Sequence, residues 1–207
     1  MAEFLFSIDQ HLFYFINGTL SNAILDVVMP FLTDLNKMLF GKVLAVILWI
    51  VLIWKGGRKG RIVAFMLVLL LVFSDQLSST LIKKFIARPR PCHTFDGTPV
   101  LPGIRLLVDC GSGFSFPSSH AVNNFAAGSY FSYFYRKWTW LFFTLVAIIA
   151  LSRVYVGVHY PSDIAGGAAI GTLCSAFVII IWKMIAKRYA AIDVRDPHLN
   201  GENAKIP

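Results

Sequence analysis

Three short segments of this 207-residue chain carry the side chains able to do chemistry. The run Lys83-Lys84-Phe85-Ile86-Ala87-Arg88-Pro89-Arg90-Pro91 concentrates cations. Pro117-Ser118-Ser119-His120 offers two hydroxyls and an imidazole, and Ser152-Arg153 is followed by His159 and, four residues on, by Asp163. Lys83, Arg90 and Arg153 require an anion to neutralise them if they share a low-dielectric site. Guanidinium forks match the oxygens of phosphate. Pro117 suits the first turn of a helix, so that Ser118 and Ser119 expose hydroxyls and free N–H groups beside a positive helix end. Two histidines remain as reactive groups. One can attack phosphorus and the other protonate the leaving oxygen, provided a carboxylate fixes the attacker's tautomer, and Asp163 lies close to His159 across the Pro161 turn. No further acids and no His/Cys spacing mark a metal cage. The pattern predicts metal-independent phosphoryl transfer through a phosphohistidine, with no cofactor.

Such residues need a frame to bring them together. The chain is 57% apolar and only 14% charged, against about 25% charged in soluble domains. With 18 Phe and a mean hydropathy of +0.66, it cannot be a disordered chain, a nucleic-acid reader or an ordinary soluble fold. The net charge of +8 comes from 19 Lys and Arg gathered in short clusters between apolar runs, the pattern of charge at membrane edges. Its partners are therefore the lipid bilayer and a membrane lipid, not nucleic acid. A spanning helix needs about 20 mostly apolar residues. Five stretches approach that: Met38 to Trp54, Ile62 to Ile82, Pro117 to Tyr135, Trp138 to Val158 and Ile164 to Trp182. Backbone groups in lipid must pair within their own segment, so these are helices.

The predicted fold is an all-α, polytopic transmembrane bundle of five spanning helices. Phe4 to Ile16 carries Asp9, Gln10 and His11, and Ala23 to Leu32 contains Asp26 and Pro30. These read as amphipathic helices in the interface, with a sixth spanning helix as the alternative. Met1-Ala2-Glu3 supplies no positive n-region for a signal peptide. The organisation expected is an N-terminal interfacial part over residues 1–37, a membrane domain over 38–190 with its outer loop at 85–116, and a disordered polar tail over 191–207. Neither an internal repeat nor a soluble second domain is visible, and the residues assign no oligomeric state.

Lys55, Arg58, Lys59 and Arg61 crowd one turn, Arg136 and Lys137 another, and Lys183, Lys187 and Arg188 end the last stretch, all without acids. The positive-inside rule makes these ends cytoplasmic. An odd number of spans then puts the N-terminus outside and the C-terminus in the cytoplasm of a bacterial-type cell, in its inner membrane. All three reactive segments fall on the extracytoplasmic face, at one depth, because the helix directions alternate.

Lys83 with six residues before Arg90-Pro91, then Pro117-Ser118-Ser119-His120, then Ser152-Arg153 with five residues before His159 and three more before Asp163, resembles the three-part signature of the type 2 phosphatidic acid phosphatase superfamily. The motifs cover Lys83 to Asp163, and the family's helical core would extend from about Met38 to Arg188. The resemblance implies that His159 is the nucleophile, His120 the general acid and Asp163 the partner of His159. It also implies that Lys83, Arg90, Ser118, Ser119 and Arg153 bind phosphate. The family usually has Gly where this chain has Ser119, which keeps the backbone N–H and adds a hydroxyl.

Substrates expected from the resemblance are lipid phosphate monoesters or diphosphates. Undecaprenyl diphosphate is favoured, with phosphatidylglycerophosphate, phosphatidic acid and the phosphates of lipid A as alternatives. A soluble phosphate ester, or phosphotransfer to an acceptor other than water, remains open. A transporter of anions or lipids is the reading from another class; it would need broken or charged segments in two related halves, and only Asp75 fits.

Elsewhere, His11, His93 and His198 read as solvated interface residues, and intramembrane Asp75 as a buried hydrogen-bonding or ion-pairing group. Gly166, Gly167, Ala168, Ala169 and Gly171 read as a stripe for close helix packing. Cys92 and Cys110, both on the oxidising side, are expected to form a disulfide, and Cys174 to serve as a small apolar residue.

Overall fold

The computed structural model describes residues 2–193 other than Asp96. From residue 194 onward the expected disordered tail lies outside the described residues, as does His198. Helix α1 (Ala2–Tyr14) widens into a π turn at Phe15–Thr19, and α2 spans Ala23–Asp34. α3 spans Leu39–Lys55; α4 (Gly57–Gln76) runs through a π segment, Leu77–Ile82, into α5 (Lys83–Ile86). The outer loop carries a two-stranded antiparallel ladder, β1 (Thr94–Phe95) on β2 (Thr98–Pro99), with Thr94 opposite Pro99. α6 (Ser119–Phe134) follows, then a 3₁₀ turn at Arg136–Trp138 leading into α7 (Thr139–Tyr155), and finally α8 (Pro161–Asp193).

Among the described residues, three helical stretches are long and apolar enough to cross a bilayer: Gly57–Ile86, Arg136–Tyr155 and Pro161–Arg188. A fourth results if Phe6–Thr19 and Ala23–Asp34, bent by 116° at their junction, form one broken span. The multi-pass membrane character is therefore present, and the remaining two of the five expected spans are the shorter helices α3 and α6. α3 has 17 residues and α6 has 16. At 1.5 Å per residue they reach about 24–26 Å, against a hydrocarbon layer of roughly 30 Å. α3 stops where Gly57 takes φ +57. α6 cannot begin before Ser118, whose extended backbone and hydroxyl cap it.

Inside a bilayer, helices associate through close packing rather than through exclusion of water. α8 meets α6 along its small residues: a Cβ on Gly171 would sit 2.2 Å from the Val122 carbonyl oxygen, and one on Gly167 would sit 2.7 Å from Ala121 Cβ. Val63, Leu70, Ala126, Tyr130, Cys174, Val178 and Ile179 form a buried cluster along α4, α6 and α8. A second cluster, with Phe13, Leu101, Ala121, Ala150, Val154, Tyr160 and Ile164, lies toward the loop end. Asp75 is hydrogen-bonded within the bundle: Asn123 Nδ2 donates to its Oδ1 at 3.0 Å, and Ser74 Oγ donates to Asn123 Oδ1 at 2.7 Å. A polar group in so apolar a setting has to be paired in this way.

The N-terminal helices do more than lie on the surface. Phe4, Phe6, Ile8 and Leu12 remain exposed, but Asp9, Phe13 and Asn17 are buried. Asn17 Nδ2 donates to the carbonyls of Arg105 and Tyr155, both at 2.7 Å, and its Oδ1 accepts from Arg105 N at 2.8 Å. Asp26 accepts from Tyr155 Oη at 2.6 Å and pairs with Arg105 at 2.5 Å. The amide of Asn17 thus stitches the first helix to the outer loop and to the end of α7.

Candidate active site

Four segments converge at the loop end of the bundle. α5 ends where Ala87 adopts a left-handed backbone (φ 48), which turns Arg88-Pro89-Arg90-Pro91 across the top of the helices. Cys92 and Cys110 are joined in a disulfide that closes the loop behind Arg90. The Arg90 guanidinium donates to that loop through Nε to Gly113 O and Nη1 to Cys110 O, both at 2.7 Å. His93 is not a free interface residue. Its Nδ1 accepts from Arg90 N at 3.4 Å and its Nε2 lies 3.1 Å from Gly111 O, bracing the same turn. The disulfide therefore positions a cation as well as stabilising the chain. Replacing Cys92 and Cys110 by Ser is expected to remove about 3 kcal/mol of stability by the chain-entropy argument. A lower Tm with a raised KM for a phosphate ester would show both effects; a lower Tm with KM unchanged would leave Arg90 independent of the loop.

Ser118 Oγ accepts from Ala121 N at 3.4 Å as the helix cap, and Ser118 N donates to the Asp163 carbonyl at 3.2 Å. Its side chain is fully buried, and of the two serines it is Ser119 that lines the cavity described below. The capping preference of serine accounts for this. On the far side, α7 delivers Arg153, 5% exposed, with Nη1 3.4 Å from Thr33 Oγ1 of α2. Gly157, at φ +90, then makes a turn in which a Cβ would strike the Arg105 carbonyl at 2.6 Å. That turn presents His159 immediately before α8.

Lys83, Arg90, Ser119, His120, Arg153 and His159 line one cavity of about 280 Å³, together with Lys37, Asp109, Cys110 and Gly111. A water molecule's share of liquid is roughly 30 Å³, so there is room for a tetrahedral group and what is attached to it. Four of the lining residues are cations and one is an acid. His120 Nε2 and Arg153 Nε are buried without a hydrogen-bond partner among the described residues, polar atoms left over for a ligand.

Asp163 stands behind His159, outside the cavity and fully buried. Its Oδ2 lies 3.3 Å from His159 Nδ1, accepts from Tyr160 N at 2.8 Å and accepts from Ser115 Oγ. Its Oδ1 accepts from Arg88 Nη1 at 2.9 Å. With Nδ1–H turned to the carboxylate, Nε2 of His159 keeps its lone pair for the cavity. Burial pushes the His159 pKa down from 6.5 to about 4, Asp163 opposing the shift and Arg90 and Arg153 adding to it. The ring is consequently neutral at physiological pH. Burial likewise lowers Arg90 below the usual arginine value, with Asp163 acting against it.

Several residues here escape sequence reasoning. Arg88 also donates to Ser162 Oγ and to Asp9 Oδ2, both at 2.6 Å, and its guanidinium lies 3.8 Å from the centre of the Tyr160 ring. Asp9 accepts from Ser162 N at 2.8 Å and from Ser162 Oγ at 2.5 Å. Arg88 sits in the cation run and was legible as a cation, but not as the partner of two carboxylates. Ser115 and Lys37 carried no signal at all. Among the described residues, no group of three or more His, Cys, Asp or Glu is arranged to hold a metal ion.

The family model described as the PAP2 superfamily matches residues 60–187. The chain is similar to a protein of Bacteroides thetaiotaomicron named lipid A 4'-phosphatase, 32% identical over 177 residues that cover 83% of this chain and 75% of that one. A protein of the same name from Porphyromonas gingivalis is 27% identical over 197 residues, covering 90% of this chain and 78% of its own. The fold resembles that of a transmembrane PAP2-type phosphatidylglycerolphosphate phosphatase from Bacillus subtilis, with a TM-score of 0.69 and 23% identity over 87% of each chain.

Proposed function

The chain belongs to the PAP2 superfamily of membrane lipid phosphatases, and from that premise we propose that it hydrolyses lipid phosphate monoesters or diphosphates on the extracytoplasmic side of the inner membrane through a phosphohistidine. The observation that carries the proposal is the cavity in which Lys83, Arg90 and Arg153 surround two imidazoles, one of them backed by a buried carboxylate. The cations take the phosphoryl oxygens, helped by Ser119 and by the free N–H groups at the start of α6. Nε2 of His159 attacks phosphorus, the bond to the leaving oxygen breaks, and His120 supplies that oxygen with a proton. Asp163 holds Nδ1–H throughout and stabilises the positive charge that develops on the ring. Water then attacks the phosphohistidine, His120 takes its proton, and inorganic phosphate leaves as His159 is regenerated.

The reading includes five spans over a domain of residues 38–190, with α3 and α6 as the two short ones, an interfacial N-terminal part and a cytoplasmic C-terminus. Basic clusters without acids at the end opposite the cavity support that orientation. Undecaprenyl diphosphate is the favoured substrate. The phosphate of lipid A is the second reading, favoured by similarity along most of the chain to two proteins of that name. Phosphate release from a panel of both lipids, phosphatidic acid and phosphatidylglycerophosphate, in detergent and with EDTA present, tests the proposal. Release from at least one lipid is expected. Silence across the panel, or strict dependence on an added divalent ion, would refute it.

A spectroscopic prediction tests the neutral ring directly. In the ligand-free protein, ¹⁵N NMR of His159 is expected to show a neutral imidazole from pH 8 down to about pH 5, with a midpoint near 4. The unfolded chain takes up that proton near 6.5, so this group's contribution to stability is complete above 6.5 and is lost as pH falls through 4. A midpoint at 6 or higher would contradict the assignment.

A further inference from the structure

Lys37 lies outside all three reactive segments, yet it lines the same cavity as His120, Arg153 and His159. Its position is built. Lys37 N and Met38 N both donate to the Asp34 carbonyl, at 2.8 and 3.1 Å, closing a turn at the end of α2. The same helix end is tied to α7 beside the cavity, through Thr33 Oγ1 to Ser152 Oγ at 2.8 Å. The side chain stands at the rim, 55% exposed, with Nζ 2.6 Å from Asp34 Oδ1. Asp34 Oδ1 is itself buried, and an ammonium carries three donors, so Nζ can keep this contact and still turn another N–H toward an anion in the cavity. Lys37 occupies the open mouth of the cavity, whereas Arg90 and Arg153 are buried within it, so a phosphoryl group held by those two leaves what it is bonded to on the Lys37 side.

We propose that Lys37 is a specificity-determining residue that grips a second anionic group on the leaving side of the scissile bond, so that the cavity selects a lipid diphosphate over a lipid phosphate monoester. The inference rests on the reading of His120 as the group that protonates the leaving oxygen. The inner cations Lys83, Arg90 and Arg153 serve the phosphoryl group under attack in either substrate. In a monoester the leaving oxygen is bonded to carbon, and nothing beyond it matches an ammonium. In a diphosphate it is bonded to a second phosphorus, whose oxygens carry the charge that Lys37 at the rim can meet.

The test measures binding of methylenediphosphonate, a diphosphate that cannot be cleaved, and of inorganic phosphate to the purified full chain by calorimetry. Lys37→Met is expected to weaken methylenediphosphonate about tenfold and phosphate less than about twofold, the loss of one charge-assisted contact. Lys37→Arg should restore most of the preference. Equal weakening of both probes, or of neither, would overturn the assignment. Phosphate release by the wild type from farnesyl diphosphate and farnesyl phosphate is assayed alongside. Release from neither, with the lipid panel silent as well, would refute the proposed hydrolysis itself, while the ratio of the two binding constants still decides the role of Lys37.

Discussion

Replacing His159 by alanine lowers kcat by on the order of 10⁵-fold or more, the scale seen when a covalent nucleophile is removed from a site whose other members remain. The effect is large because the proposed reaction has no other route to its intermediate. His159 is the only imidazole in the cavity with a buried carboxylate behind it, and His120 reaches the same space with no such partner. The alanine variant keeps Lys83, Arg90 and Arg153, so it still binds phosphate, and a calorimetric Kd close to the wild type accompanies the lost turnover. His120→Ala behaves differently. Loss of the general acid slows the first step by about 10²–10⁴-fold for an ordinary lipid. A substrate with a good leaving group bypasses that requirement, and the phosphoenzyme then accumulates because the same imidazole is missing when water attacks. Acid quenching with labelled phosphate distinguishes the two variants: label on protein in His120→Ala and none in His159→Ala. Phosphate release that survives His159→Ala would end the covalent mechanism.

Asp163→Asn is expected to reduce kcat by about 10³–10⁴-fold while KM changes little, as when the orienting carboxylate of a catalytic histidine is made an amide. An amide nitrogen facing His159 Nδ1 forces the proton onto Nε2, the atom that has to attack. The substitution is close to isosteric, and the oxygen left in the Oδ1 position can still accept from Arg88 Nη1, so the fold persists. A purely structural carboxylate predicts another pattern. Breaking its pair with Arg88, at 2.9 Å, would then lower Tm and disturb KM and kcat together. Arg88→Met supplies the comparison, because it removes the cation and leaves the Asp163–His159 contact in place.

How much of this was legible in the sequence depends on what each residue answers to. Lys83, Arg90, His120, Arg153 and His159 were found because the chemistry fixes their types, and they line one cavity. Ser118 answers to a second demand as well: the same residue type that suits a phosphate ligand also caps a helix, and the cap shows only in the backbone at the start of α6. The three longest apolar stretches were readable from hydropathy. α3 and α6 fall where the sequence put them, to within two residues at either end, and are simply short: 17 and 16 residues. The N-terminal acids were read as marks of an interface. No local pattern shows that Asp9 meets Arg88, 79 residues away, or that Asp26 meets Arg105, since ion pairs across such separations exist only once the bundle has assembled.

The link from Asp9 through Arg88 to Ser162 and Asp163 has a consequence for biogenesis. Synthesis runs from the N-terminal side, so Asp9 is made long before Ser162 and Asp163 at the head of α8. The earlier carboxylate therefore waits for partners that arrive later. A nascent chain stalled after α7 holds the cations and His120 but neither His159 nor Asp163, so under the proposed mechanism it has no means of cleaving the lipids around it. Under that mechanism the capacity to cut phosphate esters arises in one event, when α8 closes the circuit that α1 began.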